Sequence, residues 1–438
     1  MKISFSQSFL ICTLFLLLSS CGQPQSSNHA TVADIDLPPS QIVAIDLDAA
    51  SVVHPASSLF ESVNYIKLET NPDCLIGFTS KLLYVNETFI IMDGEGPRPV
   101  LAFRHDGKFL NKIGDCGPGP KEYAGPDDIA YDQYNNELIV WSNNDKKILR
   151  YRLDGEFVSA IQLDLWISSI VAYDKDFMLA YVDNIKQSAG NDKGYHFLLL
   201  DREGKIVSQF DEYDCKKDIF TSVSSRAFSF HSNGISFQFP LKNSLYTVFR
   251  DSIQLQYYID YGKYNIPSGF FDGKKAREAR EDLSKMNVGQ VYHLAASDKY
   301  LYVMSRRKMP DLHTLFNKQT QEQISYSTFI NNEQFTGFPQ PLILSLTGDL
   351  LIGFCDAAFF ENTNKFYSEL LPDTNEAHIR KLLSQQYERI PDKEYRKKLL
   401  DAVAKMPFTY NQADHDFISE MTPEDNPIIF IGKIRGSF

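Results

Sequence analysis

Apolar and polar positions along this chain fall into short runs broken by turn residues, and one such phrase returns at a near-constant interval. Val100-Leu101-Ala102-Phe103-Arg104-His105-Asp106-Gly107-Lys108-Phe109 comes back as Ile148-Leu149-Arg150-Tyr151-Arg152-Leu153-Asp154-Gly155-Glu156-Phe157. It comes back again, more weakly, as Phe197-Leu198-Leu199-Leu200-Asp201-Arg202-Glu203-Gly204-Lys205-Ile206. The glycines at 107, 155 and 204 are separated by steps of 48 and 49 residues. Each copy reads as strand, tight turn, strand, and Asp-Gly between two apolar runs is a strong hairpin signal. A period of about 40 to 50 residues with several short strands per unit predicts propeller blades.

Six units can be counted. The first holds Phe89–Met92, Val100–Arg104 and Lys108–Ile113, and the second Glu137–Trp141, Ile148–Arg152 and Glu156–Leu163. The third has Phe177–Val182, Tyr195–Asp201 and Lys205–Phe210; the fourth, without the glycine, has Gly234–Phe239, Leu245–Arg250 and Ser252–Ile259. Tyr300–Ser305 and Gln323–Phe329 form a fifth, with a longer link between them. The sixth is split between Pro341–Ser345, Leu350–Phe354 and the late run Ile428–Ile434. It lacks an outermost strand, which Tyr65–Glu69 is placed to supply, so that both chain ends close the ring and leave few unpaired edges. Ile42–Leu47 alternates and reads as an additional early strand.

Two stretches switch to helical spacing. One covers about 272–286 with Asp272 at its start; the other, about 375–406, reads as two helices broken at Pro391 and restarted by Asp392. Both are expected either to pack on the propeller's rim or to form a lid over its channel. The expected fold is therefore all-β: a six-bladed β-propeller over 59–438 with these helical insertions.

The N-terminus carries a separate signal. Lys2 precedes the apolar Phe9–Leu18, too short to span a bilayer, which ends in Leu18-Ser19-Ser20-Cys21-Gly22. Residues 1–20 read as a signal peptide and 21–58, rich at first in Ser, Pro, Gln and Asn, as a tether. Composition adds less. A hydrophobic fraction of 43% supplies ample core, and 32 Phe with 23 Tyr favour pleated sheet. The net charge of −12 speaks against nucleic acid, whose binding draws on Lys and Arg. Cys74, Cys116, Cys215 and Cys355 show no zinc-ligand spacing, and four cysteines leave three pairings or free thiols open.

The end of the apolar stretch resembles the lipobox of bacterial lipoproteins, in which the cysteine, here Cys21, is lipidated after cleavage. Gly114-Asp115-Cys116-Gly117-Pro118-Gly119-Pro120-Lys121-Glu122-Tyr123, followed by Pro126-Asp127-Asp128-Ile129-Ala130-Tyr131-Asp132 and Asn143-Asn144-Asp145-Lys146-Lys147-Ile148, resembles NHL repeats. Lys147 stands where that pattern has Arg. With Leu68-Glu69-Thr70 and Asn426-Pro427, the chain is similar to the six-bladed β-propeller lipoproteins of Bacteroidetes-type bacteria. The resemblance implies a lipid-anchored envelope protein, with the outer membrane as expected site and the leaflet open; it carries little about function.

Propellers bind ligands where the loops entering each blade and those linking its second and third strands open on one face. Arg98 and Arg306 are the better binding candidates there, since a guanidinium offers a planar fork to polar ligands. Asp93, Asn143, Asp183 and Asp356 follow second strands, where such residues commonly bond their own turns. Glu122 and Tyr123 belong to the Gly-rich phrase and have an equally good structural role. No nucleophile elbow, zinc-protease helix or phosphate loop is present, and the histidines at 105, 196, 231, 293 and 313 are isolated. The reading is a monomeric, non-catalytic envelope lipoprotein without a cofactor that binds a polar small molecule, glycan, peptide or envelope protein. The alternative is a hydrolase or lyase with a calcium ion in the channel, held by carboxylates such as Asp93, Asp183 and Asp356.

Overall fold

The computed structural model describes residues 37–49, 53–96, 98–183, 193–214, 226–232, 234–271, 273–274, 276–307, 310–356 and 360–438. The signal peptide, Cys21, most of the tether, Cys215, Asp272 and Lys308 lie outside them. The chain forms six four-stranded antiparallel blades. Blade one is Thr79–Val85, Thr88–Asp93, Val100–Arg104 and Phe109–Ile113. Blade two is Asp128–Asp132, Glu137–Ser142, Lys147–Tyr151 and Phe157–Gln162; blade three is Ser169–Ala172, Phe177–Tyr181, Lys193–Asp201 and Ile206–Asp214. Blade four is Phe228–His231, Gly234–Gln238, Ser244–Val248 and Ile253–Asp260, and blade five Gln290–Ala296, Tyr300–Arg306, Leu312–Asn317 and Gln323–Tyr326. Blade six takes Leu342–Thr347, Leu350–Cys355 and Ile428–Ile434, and is completed by the N-terminal Phe60–Lys67, with Tyr65 opposite Phe430. The ends of the chain thus close the ring.

The repeated glycines mark where one blade rests on its predecessor. Gly107, Gly155 and Gly204 have φ of 85°, 89° and 85°, the left-handed region that glycine adopts without penalty. A Cβ on Gly107 would stand 2.0 Å from the Lys67 carbonyl oxygen, and one on Gly155 2.7 Å from that of Lys112. Lys67 and Lys112 end the outer strands of the preceding blades. The 48-residue period is therefore the period of blade-to-blade contact.

The first strand of each blade lines the axis, and these strands touch at every junction from blade four through five, six and one to blades two and three. These six strands carry polar residues that stitch the ring together. Lys81 of blade one meets Asp128 of blade two at 2.6 Å, and the other Asp128 oxygen accepts from the Ser169 hydroxyl of blade three at 2.7 Å and the Ile170 amide at 2.8 Å. Lys81 and Asp128 are buried. Across the ring, the Ser229 hydroxyl accepts from the Ala296 amide at 3.1 Å, joining blades four and five.

A strap precedes the closing strand. Ile42–Ala44 adds in parallel to the outer edge of blade four, and Val53–Pro55 pairs in parallel with Thr328–Ile330. Val43, Ile45 and Leu47 are buried between blades four and five against Tyr257, Ile259 and Val291. Helices occur at Ala276–Lys285 and, between the second and third strands of blade six, at Phe360–Leu370, Glu376–Tyr387, Lys393–Lys405 and Gln412–Ser419. Asn375 and Asp392 cap the middle two, accepting from the amides of His378 and Tyr395. Ile379, Leu383, Leu399 and Val403 share one core with Phe60, Tyr65 and Phe329, so these helices pack beside blades five and six.

Candidate functional site

Strand register puts the start of each first strand beside the end of the second. Thr79 pairs with Asp93, Asp128 with Trp141, Ser169 with Tyr181, Gln290 with Arg306 and Leu342 with Phe354. The sequence candidates Asp93, Asn143, Asp183, Arg306 and Asp356 therefore occupy the same end of their blades, around one mouth of the channel. Arg98 lies in the loop after Asp93.

At that mouth most of the strand-end polar groups are committed to the fold. Asp93 is buried and accepts from the Gly77 amide at 2.7 Å, Phe78 at 3.0 Å and Glu95 at 2.8 Å, tying the loop that enters blade one to the loop between its second and third strands. Asn143, also buried, donates to the Ile167 carbonyl at 3.0 Å and accepts from the Ile167 amide at 3.2 Å. Asp183 accepts from the Ser168 hydroxyl at 2.5 Å. Asp356 is exposed.

The Gly-rich phrase is a loop wound on its own glutamate. Glu122 accepts from the Gly119 amide at 2.9 Å, and a Cβ on Gly117 would stand 2.1 Å from the same carboxylate. Tyr123 is fully buried; its hydroxyl donates to the Ile113 carbonyl at 2.8 Å and accepts from the Val100 amide at 2.9 Å. Burial raises its phenol well above the ordinary range. Lys147 closes the loop by donating to the carbonyls of Gly119 and Glu122, each at 3.3 Å.

The two arginines are partly exposed but paired. Arg98 lies 3.2 Å from Asp93 and 3.7 Å from Glu95. Arg306 forms a two-bond fork with Asp311, each bond 2.5 Å. That pairing raises the Arg306 guanidinium further above its ordinary value. Its plane also stacks 3.8 Å from the centroid of the Tyr292 ring.

Exposed apolar side chains at the same mouth went unnoticed in the sequence. Phe78, just before the first strand of blade one, is 55% exposed; Trp166, just before blade three, is 47%; Tyr292 of blade five is 51% and Leu342 of blade six 41%. Isolated exposed apolar residues are ordinary, but these four all lie near the starts of first strands, at one end of their blades. A usable signal was present: each stands within three residues of the start of a first strand, although of those strands only that of blade six was read, as Pro341–Ser345.

Asp93, Asp183 and Asp356 do not assemble a metal site: among the described residues no group of three or more His, Cys, Asp or Glu is arranged to hold a metal ion. Cys74, Cys116 and Cys355 are free thiols. A shallow cleft of about 390 Å³, lined by Ala44, Asp46, Asp48, Asp260, Tyr264 and Gln323, lies where the strap crosses from blade four to blade five; Arg307, next to Arg306, reaches its Asp48 at 3.0 Å.

These features define a six-bladed β-propeller whose channel mouth combines aromatic side chains with paired ions. The chain belongs to the family described as Domain of unknown function (DUF4934), which it matches over residues 43–388. The crystal structure of a Bacteroides fragilis protein described as exported is similar, with 15% identity, a TM-score of 0.65, and coverage of 90% of this chain and 99% of that one. A member of the DUF4221 family from Bacteroides vulgatus has 11% identity and a TM-score of 0.44, covering 68% and 91%. No curated protein matches the chain.

Proposed function

We propose that this protein is a non-catalytic, lipid-anchored envelope protein that binds a polar ligand at the channel mouth formed by the starts of its first strands. The observation that carries the reading is the set Phe78, Trp166, Tyr292 and Leu342, all exposed near the starts of first strands, at the end of the blades that also holds Arg98 and Arg306, the latter stacked on Tyr292. Ligand sites combine apolar and aromatic surface with a few convergent polar groups, and this mouth has both. The lipobox-like Leu18-Ser19-Ser20-Cys21 and the description of the Bacteroides fragilis protein as exported support an envelope location, with the outer membrane as destination and the NHL-like loops as scaffold.

The two tryptophans make the mouth directly observable. Trp141 is fully buried, whereas Trp166 is exposed at the mouth. Acrylamide should quench Trp166 alone, and a ligand found by glycan and peptide arrays should protect it. Arg98→Ala and Arg306→Ala should each weaken that ligand about tenfold, since hydrogen bonds to charged groups contribute roughly 1.5–3 kcal/mol. Lys397→Ala, on the helical insertion, should leave binding unchanged. Normal binding by the arginine variants with loss in the helix variant would move the site to the helices. Cys21→Ala should release the protein from the membrane fraction; unchanged detergent partitioning would refute the anchor.

A further inference from the structure

Tyr292 is aimed out of its strand by a defect in the pairing. Register slips between Val291, opposite Ser305, and His293, opposite Met304, so Tyr292 is the extra residue of a β-bulge. Bulges bend a strand and re-aim side chains. Val291 and His293 are buried, while half of Tyr292 faces solvent. Arg306 backs the ring at 3.8 Å and is itself fixed by its fork to Asp311. The result is a held aromatic surface beside an ion pair whose charges cancel. The first strand of the adjoining blade six, which touches that of blade five, begins at the exposed Leu342.

We infer that Tyr292, Arg306 and Asp311 form a stacking subsite for a neutral pyranose ring of a glycan, an inference that rests on the mouth being the ligand face. A pyranose presents flat patches of C–H groups that cover an aromatic ring, and vicinal hydroxyls that both donate and accept hydrogen bonds. The Arg306–Asp311 pair offers donors and acceptors side by side. An anionic ligand would have to break that pair, and at blade one it would meet Arg98 already neutralised by Asp93 and Glu95. The chain's net charge of −12 acts in the same direction. An extended peptide seeks an open sheet edge, whereas the mouth presents strand ends.

The test titrates the full-length protein, and its variants, with neutral manno-, malto- and cello-oligosaccharides, with oligogalacturonate and with a polylysine peptide. Neutral oligosaccharide should bind, Tyr292→Ala should lose about tenfold or more in affinity, and Tyr292→Trp should retain it. Asp311→Asn should shift preference toward oligogalacturonate by freeing the Arg306 charge. Binding of oligogalacturonate or polylysine alone, or of no neutral oligosaccharide, overturns the inference. Neutral binding that protects Trp166 yet survives Tyr292→Ala overturns this subsite and leaves the mouth intact. Neutral binding that neither protects Trp166 nor responds to Phe78→Ala, Trp166→Ala or Tyr292→Ala overturns the mouth as well.

Discussion

Gly107 separates two physical costs that a glycine can carry. Gly348 has φ of 60° with open space around a built Cβ, so Gly348→Ala should bear only the left-handed backbone penalty of about 1–2 kcal/mol. Gly107→Ala bears that penalty and also drives a Cβ into the Lys67 carbonyl. It should fall at or beyond the upper end of the ~0.5–3 kcal/mol seen for most single substitutions, which thermal or urea unfolding of the two variants will show. The Lys81–Asp128 pair gives a second residue-scale test. Lys81→Met strands a buried carboxylate and should cost about 3–5 kcal/mol. Adding Asp128→Asn to it should cost less than Asp128→Asn alone, because the two groups act as a unit.

Strands differ in how plainly they announce themselves. The second, third and outer strands of blades one to four were readable because apolar runs flank turn residues. The first strands of blades one to five were not, since Lys81, Asp128, Ser169, Ser229 and His293 give them a polar character imposed by the channel and the stitches across it; that of blade six, the more apolar Leu342–Thr347, was read. Leu312–Asn317 was read as a link, although its His313 is a buried partner of Tyr302 at 2.7 Å. The same blindness hid half of the candidate site: Arg98 and Arg306 stood out as charges in loops, but Phe78, Trp166 and Tyr292 stand out only once the first strands place them near the mouth. The helices at 360–370 and 412–419 were also missed, whereas the caps Asn375 and Asp392 bound the two that were foreseen. At this scale the strap makes a prediction. Removing residues before Val53 uncovers the outer edge of blade four and the apolar bed of Val43, Ile45 and Leu47. Exposed edges template association, so that variant should stay folded but aggregate by light scattering, whereas truncation after Asn426 should abolish cooperative unfolding.

Over the whole molecule, buried histidines set an acid limit. Burial pushes His313 down to about 4, and burial with the nearby Arg226 pushes His293 down to about 3. Both are neutral in the fold, while in the unfolded chain they titrate near 6.5. Below that value the unfolded state binds more protons, so stability is fullest above about pH 6.5 and falls as the pH drops toward the folded values. Asp414, raised to about 6 by burial, acts oppositely over part of this range, since its protonation favours the fold. His54 and His231, also lowered by burial, add to the histidine side, and Asp127, raised by burial, to the carboxyl side. Four histidines against two carboxyls leave a net loss on acidification, measurable as a falling Tm between pH 7 and 4.5. His313→Gln, which keeps a polar partner for Tyr302, should flatten that slope.

The pairing of Phe60–Lys67 with Ile428–Ile434 has a consequence for synthesis and transport. Tyr65 and its partner Phe430 are separated by 365 positions along the chain. A ribosome or a translocation channel delivers the N-terminal strand first, and that strand then has no partner until almost the last residue emerges. Contacts so distant in sequence are slow to form, because the entropy of closing the loop is lost before the contact is gained. Blades one to five can assemble as they appear, but blade six cannot. A chain cut short by stalling, or nicked in its helical insertion before assembly, therefore keeps an open ring and an unpaired edge that a finished molecule does not show.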